Sequence, residues 1–293
     1  MSEQRKSWFV DALVAVGVTV FLFLSPDVVA AQAPPGAAAA SGVPRTADGQ
    51  PNIQGWWESD AYTPDIETGL TDAVTAQLQG QPAPNPADEV SVVVDPPDGR
   101  IPYQAWAAEK RNAIPSHRRG PTSTGVTETV RDVRPRTFCL HGMPRSGLYG
   151  FQLTQVPGYV ILAWEFSHAY RIIPLSNRPH IAPDIKLVMG DSRGRWEGDT
   201  LVVDTTNVND WDWFDYTGTF HSDAMTVVER FTVVDADTLD YQYTVTDPRV
   251  FTRPWTVAVQ LTRDTQPDGY ELWESACVEG ERGVESLLGQ DPR

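Results

Sequence analysis

Basic residues are scarce: 23 Lys and Arg stand against 39 Asp and Glu in 293 residues, a formal charge of −16. Such a field does not hold DNA, RNA or an anionic bilayer by general electrostatics. Histidine is sparse as well, at positions 117, 141, 168, 180 and 221. No His-x-His or His-Glu-x-x-His spacing places two imidazoles on one face. Asp210-x-Asp212-x-x-Asp215 could offer oxygens to calcium but lacks the Gly and distal Glu of a calcium loop. Glycine-rich phosphate loops and dinucleotide fingerprints are missing too. No metal and no cofactor are expected.

Long apolar runs are also missing. The longest near the start, Ala12 to Leu24, is 13 residues, short of the roughly 20 needed to span a bilayer. Arg5 and Lys6 precede it and Val29-Ala30-Ala31 follows, which is the pattern of a secretory signal over residues 1–31. An uncleaved anchor is the alternative. No Cys lies near the cleavage site, so the lipoprotein route is closed, and the mature chain is expected in a periplasm or outside the cell. Only Cys139 and Cys277 occur. In an oxidising compartment they most simply form one disulfide, closing a loop of about 138 residues and stabilising by ~4–5 kcal/mol in the chain-entropy model. Two buried free thiols are the other reading.

What the chain has in excess is turn-forming residues, with 24 Pro and 22 Gly. Residues 32–45 read as a low-complexity linker, and residues 46–289 as one mainly-β domain. Ile53, Trp56 and Trp57 are its first expected core residues. Short helices are expected over Thr71–Gln79 and Tyr103–Ala113. Strands are expected at Val90–Val94, Phe151–Val156, Tyr159–Phe166, His168–Leu175, Thr200–Thr206, Met225–Val234, Thr238–Thr246, Trp255–Arg263 and Tyr270–Cys277. Pro157-Gly158 and Asp235-Ala236-Asp237 read as hairpin turns. Leu239, Tyr241, Tyr243 and Val245 alternate with polar residues, as do Trp255, Val257, Val259 and Leu261. The fold class is therefore mainly β. It is either an antiparallel β-barrel of lipocalin-like form or a two-sheet sandwich, of about nine strands with one or two short N-terminal helices.

Gly190-Asp191-Ser192-Arg193-Gly194 matches the nucleophile elbow G-x-S-x-G. An elbow needs a helix after the serine, and here Trp196-Glu197-Gly198-Asp199 leads into a strand. The expected structure at 190–194 is a solvated charged turn. Residues 207–223 mix Trp211, Trp213, Phe214, Tyr216 and Phe220 with Asp210, Asp212, Asp215, His221 and Asp223. That combination suits a sugar or a flat organic ligand, or else a loop laid over one end of the core. Polar residues inside apolar strands are the other lead. Glu165, Arg171, Glu229 and Glu274 each need a partner or a shifted pKa if buried. They read either as a ligand or acid/base site or as ion pairs that close a barrel.

The strings MGDSRGRWEGDTLVVDTTN (189–207), FHSDAMTVVERF (220–231), DPRVFTRPW (247–255) and ELWESACVEG (271–280) resemble a family of uncharacterised exported bacterial proteins. The family pattern places His directly after the last Cys, where this chain has Val278. The matched polar positions are His168, Arg171, Asp191, Arg193, Glu197, Asp199, Asp204, His221, Asp223 and Glu229. No activity comes with the resemblance.

Three functions remain in view. The first is an exported barrel binding a small apolar or aromatic molecule through Trp211, Trp213, Tyr170, Trp164 and Glu229. The second is a cofactor-independent isomerase, lyase or hydrolase. Its base would be His168 or His221, its orienting acid Asp223 or Glu165, and its anion stabiliser Arg171. The third is an extracellular glycan-binding module using Trp211 and Trp213. The expected partner is a small-molecule ligand or substrate, without nucleic acid and without membrane once the signal is removed.

Overall fold

Alternating side chains and two-residue turns give ten strands in the computed structural model, which describes residues 42–59, 66–67, 91–114, 142, 150–164, 169–215 and 218–264. They are β1 (Gly55–Ser59), β2 (Val93–Asp95), β3 (Phe151–Val156), β4 (Tyr159–Trp164), β5 (Tyr170–Pro174), β6 (Asp191–Glu197), β7 (Thr200–Thr206), β8 (Thr226–Val233), β9 (Thr238–Thr246) and β10 (Trp255–Asp264). One helix, α1 (Ala105–Ala113), lies between β2 and β3. Nine strands follow one another in the order β5-β4-β3-β1-β10-β9-β8-β7-β6, each antiparallel to its neighbour, while β2 adds to β10. The two ends of this path meet. Leu175, directly after β5, bridges Gly194 of β6 in parallel. The fold is a nearly closed antiparallel barrel rather than a two-sheet sandwich, and β5 against β6 is its seam.

Turn chemistry sets which end of the barrel is tight. Pro157 followed by Gly158 at φ +81° has the sequence of a type II turn and joins β3 to β4. Gly198 at φ +63° lets two residues join β6 to β7. β8 and β9 are joined at the same end by residues 234–237. Longer segments, 207–225 and 247–254, connect the strands at the opposite end. Helix α1 is fastened to that loop-bearing end: Gln104 N–H donates to the Val250 carbonyl at 2.8 Å, and Thr252 N–H donates to the Pro102 carbonyl at 2.8 Å. No helix among the described residues is long and apolar enough to cross a membrane.

One face of each strand fills the barrel. Leu239, Tyr241, Tyr243 and Val245 of β9 are buried, as are Trp255, Val257 and Leu261 of β10. Trp57, Phe151, Leu153, Leu162, Phe231 and Val203 complete this interior. A ring of this size removes about 150–250 Å² from water, on the order of 4–6 kcal/mol before conformational entropy is charged against it. Val43 also packs into the core.

Two strands were not expected from the sequence. β1 carries Trp57 inward, and it joins β10 to β3. β6 corrects the solvated turn expected at 190–194. Asp191, Arg193, Arg195 and Glu197 alternate there with Ser192, Gly194 and Trp196, and the uncharged set pairs with inward-facing Thr205, Val203 and Leu201 of β7. The helix expected at 71–79, the strand at 270–277 and both cysteines lie outside the described residues.

Gly194 is the point of closest approach across the seam. A Cβ there would stand 2.8 Å from Leu175 Cδ2 and 2.9 Å from Ile173 Cγ2, so only glycine lets β5 close onto β6 without repacking. Gly194→Val is expected to lower unfolding stability by about 1–3 kcal/mol in urea titration. An unchanged midpoint would remove the seam's dependence on glycine.

Candidate functional site

Arg171 stands inward on β5, where its in-register neighbour is Leu162 of β4. On the far side of the seam its guanidinium meets side chains from three further strands. Nη1 donates to Glu229 Oε1 at 3.0 Å and Nη2 to Glu229 Oε2 at 2.5 Å, a two-pronged pair with β8. Nε donates to Ser192 Oγ of β6 at 3.0 Å, and Nη2 to Thr205 Oγ1 of β7 at 2.6 Å. The two hydroxyls are themselves 3.0 Å apart. From β9, the Tyr241 hydroxyl donates to Glu229 Oε1 at 2.8 Å. Arg171 and Glu229 are only 4% and 1% exposed, so the charges compensate each other away from water. Charge-assisted bonds in that setting are the strong ones. All three nitrogens of Arg171 and both oxygens of Glu229 are engaged with protein.

Past this network, from the tight-turn side of Glu229 up to the loop-bearing end, runs a chain of buried aromatic rings. Phe231 and Tyr241 have centroids 4.6 Å apart, Tyr241 and Tyr243 5.8 Å, and Tyr243 and Trp255 6.1 Å. Trp255 then meets Phe214 at 5.2 Å and Phe251 at 5.5 Å, both edge-on, and Phe251 meets Tyr103 at 5.4 Å. Strands β8, β9 and β10 supply the deep rings, while loops 207–225 and 247–254 supply the outer ones. Burial pushes the phenols of Tyr241 and Tyr243 well above their ordinary range. Glu229 adds to this at both, and Asp215 adds at Tyr243.

Two buried carboxylates fix the loops over these rings. Asp215 accepts from Thr219 N–H at 3.1 Å, from Thr219 Oγ1 at 2.7 Å and from Ile66 N–H at 3.4 Å. Asp247 accepts from Ser222 N–H at 2.6 Å, from Ser222 Oγ at 2.9 Å and from Arg249 N–H at 3.0 Å. Asn207, at φ +59°, donates from Nδ2 to the carbonyls of Ala182 at 2.8 Å and Ile185 at 3.0 Å. Asparagine is among the few residues that take this backbone region.

The residues expected to carry function fall in different places. Arg171 and Glu229 are brought together. Trp164 is buried beside Phe151, their centroids 5.9 Å apart. His221 is buried, its Nδ1 3.1 Å from the Ser222 carbonyl and its ring edge-on to Phe214. A proton on Nδ1 satisfies that carbonyl and leaves Nε2 as the basic nitrogen. Asp223 turns instead to Arg249. Trp213 is half-buried, whereas Trp211 and Tyr170 are exposed at 55% and 64%. Glu165 and His168 lie outside the described residues. Ser192 of the G-x-S-x-G match is buried in a strand against Arg171, with no elbow around it. Asp215 of the suspected calcium pattern points to Thr219 and Ile66, and among the described residues no cluster of three or more His, Cys, Asp or Glu could hold a metal ion.

Sequence reasoning passed over Tyr243, Trp255 and Thr205 as site residues, and weighed Ser192 only as a nucleophile. The usable signal was there for the first two, since a Tyr or Trp on the apolar face of a strand carries a polar atom into the core.

Burial holds the His221 imidazole below its usual pKa, against weaker opposing effects from the Ser222 carbonyl and the charges of Asp247 and Asp210. A folded-state pKa below the unfolded one contributes stability that is complete above about pH 6.5 and is lost as pH falls through that value. Urea unfolding should therefore show stability declining from pH 7.5 to 5.5, by no more than about 1.4 kcal/mol per pH unit. His221→Gln should flatten that slope; an equally steep slope in the variant would assign it elsewhere. Compared with protein-family models, curated proteins and solved structures, the chain matches none.

Proposed function

We propose that this chain is an exported β-barrel that binds a small apolar or aromatic molecule within the loop-bearing end of its barrel. The observation that carries the reading is the aromatic lining. An interior meant only to be filled is served by branched aliphatic residues, as in the Leu162, Val160 and Ile173 region of this same barrel. On the wall made by β8, β9 and β10 the lining changes to touching rings that continue to the loop-bearing end, from Phe231 through Tyr243 and Trp255 to Phe214 and Phe251. Small-molecule sites favour apolar and aromatic walls with a few placed polar groups, and barrel mouths are a common setting for them.

The asymmetry of the two ends supports the same reading. Tight turns shut one end, and the Arg171–Glu229 network crosses the interior as a polar floor. Entry is left to the end covered by 207–225, 247–254 and α1. Those covers are pinned by a few side chains, Asp215, Asp247 and Gln104, rather than by a continuous strand ladder. Elements of that kind open more readily than core strands.

Native mass spectrometry of residues 32–293 recovered from a bacterial periplasm tests the reading. The native mass is expected to exceed the denatured mass by a discrete small-molecule increment. Equal masses, together with no thermal shift from any aromatic probe, would contradict binding.

A further inference from the structure

Two polar atoms on the strand-borne rings of the aromatic chain have no hydrogen-bond partner, nor has the Tyr103 hydroxyl at its outer end. The Trp255 Nε1 and the Tyr243 hydroxyl are buried, and neither reaches an acceptor or donor in the protein. Both residues are 0% exposed. Tyr243 lies in register with Glu229 of β8 on one side and Val257 of β10 on the other. Trp255 pairs with Val245, two residues further along β9, so both side chains share the inner face. Native interiors leave few such atoms orphaned, and each calls for an explanation, such as a bound group or an ordered water. Tyr241, one position along the same face, shows the contrast, because its hydroxyl is spent on Glu229.

The chemistry of the orphans limits what can complete them. An indole N–H only donates. The Tyr243 phenol stays protonated throughout the neutral range, because burial and the charges of Asp215 and Glu229 oppose its ionisation. Both positions therefore present hydrogen, and the completing group must accept. An anion is a poor candidate, since the charges that act on Tyr243 are both carboxylates and the Arg171 guanidinium is already bound to Glu229. An ammonium brings donors where acceptors are needed. A neutral oxygen with lone pairs, on a body that packs against the edges and faces of rings, meets every condition.

We infer that the occupant of the barrel is a neutral aromatic carbonyl compound, such as an aryl ketone, aldehyde or ester, whose oxygen accepts from Trp255 Nε1 and the Tyr243 hydroxyl. The inference rests on the binding reading above and adds the ligand's class to it.

Three probes of similar size separate the cases by isothermal titration on the mature chain: acetophenone, ethylbenzene and benzoate. Acetophenone is expected to bind about tenfold tighter than ethylbenzene, a ratio equivalent to about 1.4 kcal/mol, and also tighter than benzoate. Tyr243→Phe, which keeps the ring, should erase most of that preference while leaving ethylbenzene affinity unchanged. Trp255→Phe should do the same if Tyr243→Phe is poorly folded by circular dichroism. Ethylbenzene binding as well as acetophenone would overturn the carbonyl assignment and leave the binding reading standing. Benzoate binding tightest would overturn the neutral assignment. Binding of none of the three to folded protein would overturn both, and leave an ordered water as the partner of the two donors.

Discussion

One guanidinium ties together strands that the backbone ladder leaves apart. Between β5 and β6 the two strands run in the same direction and share a single described bridge, Leu175 to Gly194. Arg171 works across that gap from the inside, reaching β6 through Ser192, β7 through Thr205 and β8 through Glu229, with Tyr241 of β9 on the same carboxylate. Five of the nine barrel strands thus meet at one ion pair. Placing two charges in the interior carries a desolvation cost of several kcal/mol per ion, and it is offset only when the geometry is good and the remaining lone pairs are used. Here they are used. The small inner residues of β6 belong to the same device, since Ser192 and Gly194 leave the space through which Arg171 and Leu175 approach.

Closing the seam in this way has a consequence for function. A polar bar crosses the interior at the level of Glu229 and Tyr243, with aliphatic residues on the β4 and β5 wall and touching rings on the β8, β9 and β10 wall. Because Arg171 and Glu229 satisfy each other, the barrel offers no free charge to a ligand at that level. Under the proposed binding function, recognition rests with the rings and with the donors on Tyr243 and Trp255. His221, Asp215 and Asp247 act at the rim, where they hold the covering loops in place through backbone and hydroxyl contacts.

Much of the architecture was legible because alternation and turn residues coincided. Phe151–Val156, Thr200–Thr206 and Thr238–Thr246 begin and end where their patterns and turn residues place them. β6 was hidden because its outward face is fully charged and its inward face opens with Ser192 and Gly194 and has only Trp196 as a large apolar residue. The alternation was present all the same, with Asp191, Arg193, Arg195 and Glu197 at every second position. β1 was hidden by its length of five residues and by Gly55 at φ +135°. For the site, the oddity of Arg171 and Glu229 in apolar strands was visible, but not that they face each other. That depends on register and on closure across 58 residues of chain. Tyr243 was read as part of an apolar face, because a sequence shows the ring and not whether its hydroxyl finds a partner.

Hydrogen exchange on Arg171→Lys tests the central claim most directly, since lysine keeps the charge and loses the planar fork. Closure by the guanidinium predicts that protection falls in 170–175 and 191–197 by about 1–3 kcal/mol, while the hairpin of β8 and β9 keeps its protection. Uniform loss over all strands, or unchanged protection at the seam, would contradict the claim that Arg171 closes the barrel.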